Sequence, residues 1–160
     1  MSIRRRAAVI GAVSLGLVAL SACEKPTPLA TITVGDKTVT TEAASKCYLD
    51  GGKLATAAFA VCLNNAKPTQ TIKVSAGDTV RIGVDPKIAK NGWLVAAGLS
   101  QKTDILTDKT YWTLGEKDSL FTDSTTGTSA DSVTLNIIET DGKDAKNYLG
   151  VWKVKLVKEA

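Results

Sequence analysis

Three cysteines carry most of the chemistry this sequence offers, and the first stands at a diagnostic place. Cys23 follows Leu20-Ser21-Ala22 at the end of an apolar run that starts at Ala7, directly after Arg4-Arg5-Arg6. A basic head, an apolar stretch and small residues before the cut are the marks of a secretory leader. A cysteine immediately after those small residues makes the leader a lipoprotein signal, because its thiol takes up a diacylglyceryl group. Each buried methylene contributes about 0.8 kcal/mol of membrane affinity, so two acyl chains hold where one alone is marginal. The segment from Ala7 to Ala22 is too short for an uncleaved span, which needs about 20 apolar residues. The expected organisation is a signal peptide over 1–22, a lipidated Cys23 with a tether over 23–29, and one domain over 30–160. The localisation that follows is the cell membrane, lipid-anchored, on its extracytoplasmic face. The three arginines leave the general secretory and twin-arginine export routes both open.

Cys47 and Cys62 are the cysteines that remain after lipidation. In an oxidising compartment the default for two such residues is a disulfide, and for a loop of that length the chain-entropy model gives about 3 kcal/mol. They lack the Cys-x-x-Cys spacing of a redox pair. The chain contains no His, so two thiolates have too few soft companions to hold zinc. The same absence removes imidazole bases and Ser-His-Asp or Cys-His arrangements. No glycine-rich phosphate loop is present, and Asp141-Gly142-Lys143-Asp144 lacks the spaced oxygen ligands of a calcium loop. No cofactor and no metal is expected, and the chain reads as a non-enzyme. Charge adds a further exclusion. The full chain has 20 basic and 16 acidic residues, but the leader takes Arg4, Arg5 and Arg6 with it and no acid. The mature domain is nearly neutral, which argues against nucleic acid as a partner.

The elements that must position any site are short strands. Thr31-Ile32-Thr33-Val34 and Thr38-Val39-Thr40 flank Gly35-Asp36, a pair suited to a tight turn, and predict a β-hairpin. Alternation in Thr71–Val74 and Val80–Val84 around Ala76-Gly77-Asp78 predicts a second hairpin. Asp85-Pro86 with Gly92 predicts one helical turn between them. Strands are expected at Trp93–Ala97, near Thr103–Leu106, Thr110–Leu114 and Ser132–Glu139, and at Val151–Val157. In the last, Trp152, Val154 and Leu156 share a face. Cys47 to Leu63 suits two extended arms joined by a loop, with a short helix as the alternative. Eight or nine short strands without alternating long helices imply an all-β fold, an immunoglobulin-like antiparallel β-sandwich.

The lipobox, the Thr31–Thr41 hairpin, Cys47, the Ile72–Val80 segment, Asn91-Gly92-Trp93, Thr110-Tyr111 and the Val133–Leu135 to Gly150–Trp152 ending together resemble a family of small actinobacterial lipoproteins of unknown function. That resemblance implies an envelope location and a β-rich fold, and it brings no catalytic residue. The aromatic candidates are Trp93 and Trp152, read as core, and Tyr111-Trp112, read as a binding patch because adjacent strand residues point to opposite faces. The expected function is a lipid-anchored envelope domain that binds another envelope protein or a wall polymer. The alternatives are an envelope protease inhibitor or enzyme modulator using the loops Asp85–Gly92 and Thr122–Ser132, and a carboxylate-based hydrolase.

Overall fold

β-Branched alternation and glycine turns build two packed sheets. The computed structural model describes residues 26–159, apart from 116, 117, 124, 125, 143 and 145, so Cys23 lies outside the described residues. The elements in order are β1 (Ala30–Val34), β2 (Lys37–Thr41), β3 (Ala43–Tyr48), α1 (Thr56–Asn64), β4 (Gln70–Val74), β5 (Val80–Val84), α2 (Pro86–Asn91), β6 (Trp93–Ala97), β7 (Ser100–Gln101), β8 (Tyr111–Thr113), α3 (Asp118–Phe121), β9 (Ser132–Thr140) and β10 (Tyr148–Lys158). The first sheet has the order β2-β1-β5-β8, and the second β3-β10-β9-β6-β7 with β4 also paired to β10. Among the described residues every strand pairing is antiparallel except β4 with β10. The architecture is a β-sandwich.

Alternate residues of each strand enter the space between the sheets. Ala30, Ile32 and Val34 of β1 and Val80, Ile82 and Val84 of β5 meet Trp93 and Val95 of β6, Leu135 and Ile137 of β9, and Trp152, Val154 and Leu156 of β10. Trp93 and Trp152 are fully buried, as their strand positions imply. Each indole N–H finds a carbonyl, Trp93 Nε1 donating to Lys109 O and Trp152 Nε1 to Pro28 O, both at 2.7 Å. Gly150 makes room for the second ring: a Cβ there would lie 2.6 Å from Trp152 Cη2 and 2.9 Å from Tyr48 Cδ2.

Three local expectations need correction. The segment from Ile72 to Val84 is not a hairpin: β4 runs parallel to β10 in one sheet, and β5 lies between β1 and β8 in the other. The turn at Gly77, where φ is 82°, carries the chain between layers, and Asp78 Oδ2 accepts from Ser75 N at 2.8 Å to hold it. Alternation alone does not distinguish folding back from crossing over, since both place the same apolar face on the core. Residues 103–106 form no strand, only an isolated bridge from Leu106 to Trp93. Between Cys47 and Cys62 the second arm is the helix α1.

α1 lies on the outer face of the second sheet. Its N-cap position is Ala55, whose side chain makes no cap bond, and tertiary contacts hold the helix instead. Cys62 is joined to Cys47 of β3 with a Cα–Cα distance of 5.7 Å. Phe59 stacks on Tyr148 with ring centroids 3.8 Å apart. Lys153 of β10 donates to Cys62 O at 2.8 Å and Leu63 O at 2.7 Å, supplying a cation to carbonyls of the helix's last turn. That residue is 3% exposed, and burial pushes its ammonium pKa down.

Two stability outcomes follow. Gly150→Ala should destabilise the domain by about 1–3 kcal/mol in urea unfolding, because the Trp152 ring must leave its rotamer. An unchanged midpoint would show that the ring moves aside freely. Reducing the cystine, whose sequence separation is 15, should cost about 3 kcal/mol by the same measurement, and an effect near zero would mean that α1 packing already restricts the loop.

Candidate binding face

The outward residues of the first sheet form two aligned rows. Across β2-β1-β5-β8 the register places Thr40, Thr31, Gly83 and Tyr111 in one row and Thr38, Thr33, Arg81 and Thr113 in the next. Threonine suits these positions because a β-branched side chain packs on a pleated surface while its hydroxyl stays wet. The hydroxyls of Thr31 and Thr40 are 3.3 Å apart, those of Thr33 and Thr38 3.0 Å apart, and Thr113 Oγ1 donates to Tyr111 Oη at 3.1 Å. A hydroxyl is one donor and two acceptor sites, so each keeps capacity after its neighbour is served.

Tyr111 and Trp112 are separated by the pleat. Tyr111 stands on the outer face and is 53% exposed, beside the side-chain-free Gly83. Trp112 turns inward, half-buried against the core, with Lys109 Nζ 4.7 Å from its ring centroid. Of the predicted aromatic pair, Tyr111 is therefore the outward member. The guanidinium of Arg81, a residue not among the candidates from sequence, makes no hydrogen bond or ion pair with any described residue. The signal available was the Thr-x-Thr repeat at 31–33 and 38–40 with Arg81 at the same strand phase.

A second constellation occupies one end of the sandwich. Glu139 of β9 is fully buried, opposite Trp93 on β6 and Gly150 on β10. Asn91 Nδ2 donates to its Oε1 at 2.7 Å, and Oε2 has no hydrogen-bond partner among the described residues. Burial raises the Glu139 pKa above the usual carboxylate value, opposed by the Asn91 bond and by Lys87. Lys87 itself pairs with Asp50 and lies 5.6 Å from the Tyr48 ring centroid. Sequence offered no sign of this, since Glu139 closes an apolar strand as any solvated acid would.

The other chemistry is structural. Asp141 accepts from Asn147 N at 3.0 Å and from Asn147 Nδ2, which holds its pKa below the usual range and clasps the β9–β10 connection. Among the described residues no cluster of three or more His, Cys, Asp or Glu is placed to hold a metal. A groove of about 870 Å³ lies where β10 exchanges β3 for β4, lined by Thr27, Lys46, Tyr48, Gln70 and Lys153 among others. The Lys153 ammonium there is the one that caps α1. The two loops considered for inhibition are far apart. Asn91 and Gly92 bond to Glu139 and Thr140, whereas the Thr122–Ser132 segment enters β9 at Ser132. A strand of nine residues rises about 27 Å between those ends.

The arrangement defines a class: a disulfide-stapled β-sandwich with one sheet face covered by a helix and the opposite sheet presenting hydroxyls, a guanidinium and a tyrosine ring. No family model matches the chain, and no curated protein or solved structure matches it.

The buried acid generates a pH dependence. Because the folded-state pKa of Glu139 lies above the ordinary carboxylate value of 4.5, the native state binds this proton more tightly than the unfolded chain. The stabilisation is complete below pH 4.5 and is lost as pH rises through the folded-state pKa. Glu139→Gln is neutral throughout and still accepts from Asn91. Its Tm should exceed that of the parent at about pH 8, with the difference shrinking towards about pH 4. A difference that grows on acidification would refute the assignment.

Proposed function

We propose that this chain is a lipid-anchored protein of the cell envelope, extracytoplasmic and non-enzymatic, whose domain binds a partner through the outer face of its first sheet. It belongs, on this reading, with the small actinobacterial lipoproteins it resembles, and its sandwich is immunoglobulin-like. The observation that carries the proposal is Cys23 directly after Leu20-Ser21-Ala22 and an arginine-led apolar run. Two features support it. The Cys47–Cys62 cystine suits an oxidising compartment. Trp152 Nε1 donates to Pro28 O, so an anchor at Cys23 would be joined to the folded core by a short run of residues. Within such an anchor's reach, a ligand-bearing face on rigid strands is positioned more firmly than one on loops.

The separation of the two loops along β9 removes the geometry that an inhibitor inserting both into one cleft would need. A carboxylate hydrolase needs a second acid poised beside a reachable first one, and Glu139 is enclosed.

Intact-mass analysis of the protein from a host that processes lipoproteins tests the proposal. The expected chain begins at Cys23, carries a diacylglyceryl increment, and exposes two alkylatable thiols only after reduction. A chain that retains residues 1–22 with an unmodified Cys23 would overturn the anchor.

A further inference from the structure

The outer face of the first sheet has a chemistry that selects among ligands. Its two rows contain five threonines, one tyrosine, one glycine and one arginine, so the only formal charge among them is positive. The Arg81 guanidinium has five donors in a planar fork matched to a carboxylate or phosphate, and no described residue uses them. Tyr111 offers an exposed ring, and the missing side chain at Gly83 leaves open the strip between it and Thr31, whose Cβ is 3.9 Å from where a Gly83 Cβ would be. Strands about 4.8 Å apart make this a broad, level surface, not a pit.

We infer that this face binds an acidic polysaccharide, with a sugar ring laid on Tyr111, its hydroxyls exchanging hydrogen bonds with the threonines, and its anionic group on Arg81. The inference deepens the envelope-binding proposal and rests on it. A sugar presents C–H groups on one face and hydroxyls around its rim, which is the complement of an aromatic ring beside a hydroxyl array. A peptide strand is a poorer fit, because main-chain recognition uses a sheet edge, and here the receptive surface is a face. A nucleic acid carries about one charge per 1.7 Å and is held by several cations, whereas this face has one. Sparse negative charge among many hydroxyls is what one arginine among threonines matches.

The test uses the full-length protein, purified in detergent micelles and passed over beads that carry polygalacturonate, phosphomannan, neutral dextran or single-stranded DNA. Retention is expected on polygalacturonate, on phosphomannan or on both, the pair distinguishing a carboxylate from a phosphate ligand, and it should exceed retention on dextran and on DNA. Arg81→Gln should weaken binding to the acidic glycan about tenfold or more, the loss expected for a charge-assisted contact, and bring it to the dextran level. Tyr111→Ala should weaken the acidic glycan and dextran alike. Thermal melts of both variants should match the parent, since both side chains face outward. Equal retention of parent and variants, retention on neither acidic glycan, or stronger retention on DNA would overturn the inference. Sedimentation of the same protein with membranes separates this failure from that of the envelope proposal: a membrane-bound chain that ignores both glycans refutes the ligand alone, and a glycan-binding chain that never joins membranes refutes the anchor alone.

Discussion

Strand β10 is the constraint on which the other parts depend. Its one edge pairs with β9 from Tyr148 to Val157, and its other edge is divided between β3, near Gly150 and Trp152, and β4, from Val154 to Lys158. A buried strand must satisfy its N–H and C=O groups on both sides, so the last strand to be made completes the pairing of three earlier ones. Long-range pairing of this sort closes large loops before it gains contacts, which slows folding. Trp152, at the middle of β10, also ties the two ends of the domain together through Pro28, 124 residues away. The Glu159 carboxylate extends that closure: it accepts from Ser75 Oγ at 3.0 Å and Lys73 Nζ at 3.2 Å, which lowers its pKa and pins the C-terminal end to the corner after β4.

The two sheets treat their outer faces differently, and this asymmetry is what singles out the first sheet as the candidate binding face. The second sheet is hydrophobic on both sides. Val151, Leu94, Ala96 and Ile138 point away from the sandwich interior and are covered by Leu54, which precedes α1, and by Phe59, Cys62 and Leu63 of α1. A helix with little amphipathic pattern needs external ties, and the cystine, the Phe59–Tyr148 stack and the Lys153 cap provide them. The first sheet has no such cover among the described residues, and its outer residues are threonines, Arg81 and Tyr111. Polar residues on an exposed strand face also discourage association between sheets.

Chemistry at the two kinds of site follows from solvent access. Glu139 is a lone acid whose proton is favoured by burial, and its effect is on stability. Arg81 and Tyr111 stand on the outer face and are spaced by strand pairing, which is the geometry the proposed recognition uses. The distinction rests on geometry, since one group is enclosed and the other two lie on an outer face.

Much of this was legible from residue order, for reasons that are local. The turn at Gly35-Asp36, the strand phases of β1, β5, β9 and β10, and the burial of Trp93 and Trp152 follow from period-two alternation, which needs no knowledge of the partner strand. Cysteine count and an expected oxidising compartment were enough to pair Cys47 with Cys62. Other features depend on which surfaces meet. Alternation cannot say that β4 and β5 belong to different sheets, that Thr56–Asn64 becomes a helix under tertiary ties, or that Trp112 is the inward member of its pair. Arg81 joins Tyr111 only through the β5–β8 register, and Glu139 loses its solvent only when β6 and β10 close around it. The sequence by itself determined strand phase, turn positions, the cystine and the candidate anchor, because these are set by near neighbours and composition. Only the tertiary structure decided the sheet order, the covered face, the buried acid and the candidate binding face, because each is a meeting of residues remote along the chain.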